Sequence, residues 1–303
     1  MMRSPRRHQM PKVCAVQAAK DVSTWLSDCT SQLQHDMVTI IRISKMSDRF
    51  HERRFTMMPP KTPTGLPGRV QIAFVDTLIA KIAAPISTAR HGHILSYESD
   101  LADHGILLVD GWLALSKSLC GGETQIIDVM LPGDFALIGA KEAPVSACTV
   151  EALSDVQYIT IRPPMVNGPD PASAKLRDVL AAAILTTQSR TSEMLLRLGR
   201  GNAASRVAFA LIEFHTRLQA VGRTNGNIFE FPITQQKFGE FTGLTNVHVC
   251  RTLRRLERDG FIAHPDSRSI ELLDIPALCD LASIDLDLFR AEILIQHAAP
   301  ALG

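Results

Sequence analysis

Between Ile233 and Ala263 the chain sets out side chains that can touch a polyanion and read base edges. Thr234, Gln235 and Gln236 stand together, and Thr245, Asn246 and His248 form a second group followed by Arg251 and Arg254. Hydroxyls, amides and helix-terminal N–H groups bind phosphate oxygens, whereas an amide or a guanidinium can pair in bidentate fashion with adenine or guanine. Chemistry of the covalent kind has no comparable signature. No nucleophile elbow, phosphate loop or His-Glu-x-x-His helix occurs in the sequence, so an enzyme is not expected.

Such side chains work only if something holds them at a fixed angle. Thr234 and Thr245 each carry the oxygen that can cap the start of a helix. Gly243 lies between the two helices, where a positive φ favours glycine, and Gly239 is small enough to let them cross closely. Phe238, Leu244, Val249 and Leu253 supply an apolar wedge, and these offsets predict a helix-turn-helix. On the second helix Val249, Leu253 and Leu256 share the inner face. Asn246, Val247, Cys250, Arg251 and Arg254 share the outer one. Downstream, Gly260–Ala263 and Ser269–Leu273 flank the turn 264–268, which predicts a β-hairpin wing with Arg268 at its tip. From Thr234 to Arg268, six Lys/Arg oppose four Asp/Glu.

The rest of the chain must carry and orient this unit. At 303 residues, with 46% hydrophobic and 21% charged, the composition is that of a soluble globular protein of about two domains. The longest apolar run, Val179–Leu185, is too short to cross a bilayer. Net charge is +1, so any nucleic-acid contact must be local. Residues 1–65 hold eleven Lys/Arg against five Asp/Glu, which leaves the remainder acidic on balance. The Pro/Gly-dense end of this stretch reads as a linker, so 1–68 is taken as a basic, disordered extension. It makes a poor secretory signal. Six dispersed cysteines without a Cys-x-x-Cys pair point to reduced thiols and a cytoplasmic location.

From Val70 to Ile161 glycines punctuate short apolar runs at Ile106–Val109, Trp112–Ser116, Thr124–Leu131 and Val156–Ile161. That pattern predicts an antiparallel barrel or jelly roll over 69–168, with a flanking helix near Phe74–Ala83. Asp170–Arg200 predicts one long helix. Leu176, Val179, Leu180, Ala183 and Met194 fall on its apolar stripe and are the expected dimer interface, although Thr187, Arg190 and Thr191 interrupt the stripe. Asn202 caps a further helix whose face carries Val207, Leu211, Phe214 and Leu218. The winged unit spans 201–283, and 284–303 is left as a tail. The fold class is α+β.

In this order the parts resemble the Crp/Fnr family of bacterial transcription regulators. The match covers about residues 72–283 and is most specific over Ile233–Ile262. Shorter matches are Ala102-Asp103-His104, Val109-Asp110-Gly111 and Leu131-Pro132-Gly133-Asp134-Phe135. The resemblance implies a cytoplasmic homodimer that binds a two-fold symmetric site on double-stranded DNA and presents surfaces to RNA polymerase. It assigns base reading to Asn246, Val247 and Arg251, and backbone contacts to Thr234, Gln235, Gln236, Thr245 and His248. Arg268 would add a phosphate contact from the wing. Well-known members carry Glu where this chain has Val247, so the base pair opposite should be loosely specified or favour A·T.

The family's effector pocket would fall near Gly133, Asp134 and Ser146. Cyclic AMP is not expected there, because Val145 occupies the place of the phosphate-binding arginine and no Glu follows Gly133-Asp134-Phe135 at the ribose position. Cys14 and Cys29 are too sparse for an iron–sulfur cluster. His91 and His93 lack a third partner for haem or metal, so no cofactor is expected. A different class of function remains open at this point: the barrel could bind a small molecule or partner while the winged helix makes protein contacts.

Overall fold

The computed structural model describes residues 85–295. The extension 1–68, the helix expected at Phe74–Ala83, and Cys14 and Cys29 lie outside them. Eight strands begin the described chain: β1 (Ser87–Ala89), β2 (Ile94–Ser96), β3 (Gly105–Asp110), β4 (Leu113–Ser118), β5 (Thr124–Met130), β6 (Phe135–Leu137), β7 (Thr149–Ala152) and β8 (Val156–Ile161). They form two four-stranded antiparallel sheets, ordered β1-β8-β3-β6 and β2-β7-β4-β5. Strand β3 reads as an unbroken apolar run because both its faces are covered. Ile106 and Leu108 belong to the barrel core, while Leu107 packs with Phe135, Ile159 and Ile161 beneath the following helix. The short strands β1, β6 and β7 gave no distinct pattern in the sequence.

After a single turn α1 (Pro163–Val166), the long helix α2 runs over Pro171–Arg200. It begins where expected, since the Asp170 side chain accepts from Ser173 N at 3.0 Å. Its inner face differs in role from the sequence expectation. Leu176, Leu180 and Ala183 pack on the barrel of their own chain, and Met194 enters the core of the C-terminal domain; Val179 is half-buried. Four of the five residues assigned to a dimer seam are therefore consumed within the protomer, because one stripe cannot cover the barrel and a partner at once. A second stripe, Ala181, Ile184, Gln188, Thr191 and Leu195, faces outward at alternating three- and four-residue steps.

Helix α3 (Ala203–Ala220) follows, with Asn202 capping Ser205 N at 3.0 Å. Nearly all of it is buried, far beyond the one face its apolar spacing suggests, because elements pack around it on all sides. Strands β9 (Thr224–Asn225), β10 (Ile228–Glu230), β11 (Ile262–Ala263) and β12 (Ser269–Leu272) form a sheet ordered β11-β12-β10-β9. Helices α4 (Gln235–Thr242) and α5 (Asn246–Arg258) lie between β10 and β11.

Residues beyond 283 are not a bare tail. After α6 (Ile275–Ala282), helix α7 (Leu286–Ile293) sets Phe289 against Phe209 of α3, with ring centroids 5.4 Å apart. Asp285 caps it by accepting from Asp287 N and Leu288 N. Trp112 ties barrel and C-terminal domain together, packing edge-on against Phe214 at 5.1 Å. Among the described residues no helix is long and apolar enough to cross a membrane.

Candidate nucleic-acid interface

The two helices that bear the polar cluster are started and stopped by the residues whose chemistry demanded it. Thr234 Oγ1 accepts from Lys237 N at 3.2 Å, and Thr245 Oγ1 accepts from His248 N at 3.3 Å. Between them Gly243 takes a left-handed conformation, φ 64°. Leu244 N then donates to Gly239 O at 3.0 Å. Gly239 is fixed by proximity: a Cβ there would press into the Leu244 carbonyl oxygen. Phe238 and Val249 are fully buried, Leu253 nearly so, and Leu244 half-buried. This wedge sets the angle between α4 and α5.

The outer face of α5 carries what base reading requires. Asn246, Val247, Arg251 and Arg254 are exposed, and Val247 is 58% accessible despite being apolar. Cys250 is half-buried at the edge of this face. Asn246 and Arg251 make no ion pair and no side-chain hydrogen bond with another described residue, so their donors remain available. Further along, Arg255 and Arg258 pair with Asp259 at the helix end, at 3.4 and 3.6 Å.

The residues expected on the phosphate backbone are all exposed: Thr234, Gln235, Gln236, Thr245, His248 and Arg268. Thr245 Oγ1 and His248 Nδ1 lie 3.0 Å apart, and Gln236 donates to Glu240 at 3.3 Å. The wing forms as expected, with Ile262 opposite Leu272 and Ala263 opposite Glu271. Its turn is organised by Asp266, which accepts from Arg268 N and Ser269 Oγ. These two bonds hold the Asp266 carboxyl below its ordinary pKa. Thr234 and Arg268 line one cleft of about 780 Å³ together with Asp110 and Asp155 of the barrel.

Of the residues assigned to an effector pocket, Gly133 and Asp134 line one small cavity, whose lining does not include Ser146. Asp134 is bonded by Arg217, and Ser146 is buried, donating to Cys148 O at 2.7 Å. Gly133 sits in the turn that follows β5, donating to Leu108 O at 2.8 Å. Val145 is exposed, and so are His91 and His93.

Two groups of positioning residues escaped the sequence patterns. Arg206, in the first turn of α3, donates to Leu198 O at 2.8 Å and to Gly201 O at 3.0 Å at the end of α2. It also reaches Gly243 O at 3.2 Å in the turn after α4. Lys237 of α4 pairs with Glu151 of β7 at 2.7 Å, while Gln125 of β5 donates to Phe241 O at 3.1 Å. Burial works against the Lys237 ammonium, but Glu151 and Glu240 outweigh it and hold its pKa above the ordinary value. Single long polar side chains of this kind leave no periodic trace in a sequence.

Comparison with known proteins agrees with this geometry. A family model described as a Crp-like helix-turn-helix domain matches residues 205–281, from α3 through the wing into α6. The nitrogen fixation regulation protein FixK of Azorhizobium caulinodans is 28% identical over 206 residues, covering 68% of this chain and 82% of its own. The chain is similar to regulators of the Crp/Fnr family. The transcriptional activator FnrL of Cereibacter sphaeroides is 26% identical over 65% of this chain and 79% of its own length. Among solved structures, FixK2 from Bradyrhizobium japonicum superposes with a TM-score of 0.58 at 25% identity, covering 67% of this chain and 98% of that one. The proteins it resembles are transcription regulators, and it shares with them a Crp-like helix-turn-helix domain. A winged helix serving protein contacts alone is not favoured.

Proposed function

We propose that this chain is a transcription regulator of the Crp/Fnr type that works as a cytoplasmic homodimer on a two-fold symmetric DNA site. The observation that carries the proposal is the outer face of α5, where Asn246, Val247 and Arg251 stand exposed on a helix whose other face is locked into the core. Each α5 enters a major groove, with half-site centres about 34 Å apart, roughly one helical turn. Arg251 reads guanine through O6 and N7, and Asn246 supplies a second polar contact. Val247 accepts no hydrogen bond, so the base pair facing it is loosely specified or carries a thymine methyl. Thr234, Gln235, Gln236, Thr245, His248 and Arg268 meet phosphates and fix register.

Dimerisation falls to the outward stripe of α2. Ile184, Leu185, Leu195 and Leu196 are 43–67% exposed there, an arrangement that a second copy of the helix would cover. With α2 paired, the two winged domains hang from one rod, and their outer surfaces remain free for RNA polymerase. The barrel responds to something other than cyclic AMP. Asp134 is engaged by Arg217, and the barrel core is filled by Ile106, Leu113, Met130 and Val150.

Selection of sites from random DNA tests the proposal. The expected product is a two-fold symmetric motif with a strict G·C pair in each half-site and a variable or A·T pair beside it. Recovery of an asymmetric motif, or of a strict cytosine opposite Val247, would overturn it.

A further inference from the structure

Five charged side chains meet where the barrel, α2 and α3 come together. Arg190 of α2 donates through Nη2 to Asp128 Oδ2 of β5 at 2.9 Å. Its Nε lies 3.7 Å from Glu213 Oε1 on α3, and its Nη1 lies 3.9 Å from Asp134 Oδ1. Arg217, one turn along α3, donates to the same Glu213 oxygen at 2.6 Å, to Val129 O at 2.8 Å and to Asp134. Arg190, Arg217, Asp128 and Glu213 are buried, and Asp134 is nearly so. Among the described residues the C-terminal segment sets only apolar side chains here, since Ile293, Leu294 and Ile295 line the small cavity beside Asp134 and Arg217.

Charge arithmetic makes this cluster unusual. Three carboxylates face two guanidiniums, so full ionisation leaves one negative charge in a largely buried place, where an unpaired charge is costly. One proton balances the set. Glu213 is the group that takes it. Burial pushes its carboxyl up to about 7 against the pull of Arg217 and Arg190, and Asp128 adds to the rise. Burial alone would lower the Arg190 pKa, but Asp128, Asp134 and Glu213 together hold it above the ordinary value, so Arg190 stays charged throughout.

We propose that the cluster of Asp128, Asp134, Arg190, Glu213 and Arg217 is a proton-sensitive latch that holds the winged domain on the barrel, tight while Glu213 is protonated and loosened when it ionises. As a regulator of DNA reading it rests on the function proposed above; as a latch it does not. The sign follows from linkage. Protonation is favoured in the docked state, so docking is strongest below the ordinary carboxylate pKa and is lost as pH rises through about 7. Between pH 6 and pH 8 the ratio of docked to undocked molecules falls about tenfold. The contacts of Trp112 with Phe214 and Lys237 with Glu151 persist, so the latch biases docking and does not abolish it.

Hydrogen–deuterium exchange of the full chain at pH 6, 7 and 8, corrected for the intrinsic pH dependence of exchange, tests the latch. The opening constant of peptides within α3 and of the β5 segment through Asp134 should rise about tenfold over this range, with β2 and β7 unchanged. In Glu213→Gln the rise should vanish. In Asp128→Asn, which removes one negative charge, it should move to lower pH or flatten, because the proton on Glu213 is then no longer needed to balance the set and the cluster tolerates ionisation. Flat exchange in the wild-type protein, an equal rise in Glu213→Gln, or a rise shared equally by β2 and β7 would overturn the latch. Should Glu213→Gln fail to fold, the wild-type and Asp128→Asn profiles decide alone. Loss of all DNA binding at every pH would strike the function proposed above and leave the latch standing.

Discussion

Replacing Gly239 by alanine adds one methyl group at the crossing of α4 and α5, and two opposing effects decide the outcome. In favour, alanine gains about 0.5–1 kcal/mol over glycine in a helix interior. Against it, the new Cβ presses into the Leu244 carbonyl oxygen and meets Val249 Cγ2 at 3.5 Å. The carbonyl cannot retreat easily, because Leu244 N is bonded to Gly239 O and Thr245 begins α5 directly afterwards. Overpacking against backbone costs about 1–3 kcal/mol, so the variant should be less stable by about 1–2 kcal/mol. The helices must separate or rotate to accommodate the methyl, which displaces Asn246 and Arg251 together. DNA affinity should therefore fall by about tenfold or more beyond what unfolding explains, since each 1.4 kcal/mol is a factor of ten. Urea denaturation gives the first quantity and fluorescence-polarisation titration of a selected site gives the second. A variant as stable as the wild type with unchanged affinity would refute the close crossing.

Arg251→Ala should cost about 1–3 kcal/mol of specific affinity and relax one position per half-site, whereas its non-specific binding should change little. Arg268→Ala should instead weaken binding to all sequences alike and reduce the slope of log affinity against log salt by about 1, as read from gel-shifts at several ionic strengths. Leu195→Asp on the outward stripe of α2 should convert dimer to monomer in sedimentation runs, while Leu180→Asp, buried on the barrel, should unfold the protein instead. Thr234→Ala removes the cap of α4 and should lower stability by about 1 kcal/mol in the same urea assay.

The winged unit was legible because each of its constraints is local. Thr234, Gly239, Gly243 and Thr245 act within a few residues of themselves, so their types announce the turn. The long helix was legible for the same reason, through Asp170 at one end and Gly201 at the other. Its faces were not. Two stripes with apolar residues run along α2, and periodicity cannot say which one the barrel takes. Arg190 was the clue: a guanidinium in the middle of an apolar row must have carboxylates waiting for it, and these arrive from Asp128 and Glu213, distant in sequence. Strands β6 and β7 were missed because each is only three or four residues long and is held by its neighbours. Helix α7 was missed because it is only eight residues long and its buried Phe289 packs on Phe209, distant in sequence.

Arg206 gives the molecule a common bearing. One flat guanidinium gathers carbonyls from the close of the rod and from the elbow of the reading head. In the homodimer proposed above, any twist of the paired rods would thereby be handed to the elbow before it reached the DNA. A lysine crowds its three donors onto one nitrogen and lacks the planar fork that spans both elements. The separation of the two heads along the duplex in that proposed dimer would accordingly be written into the rods, far from any base.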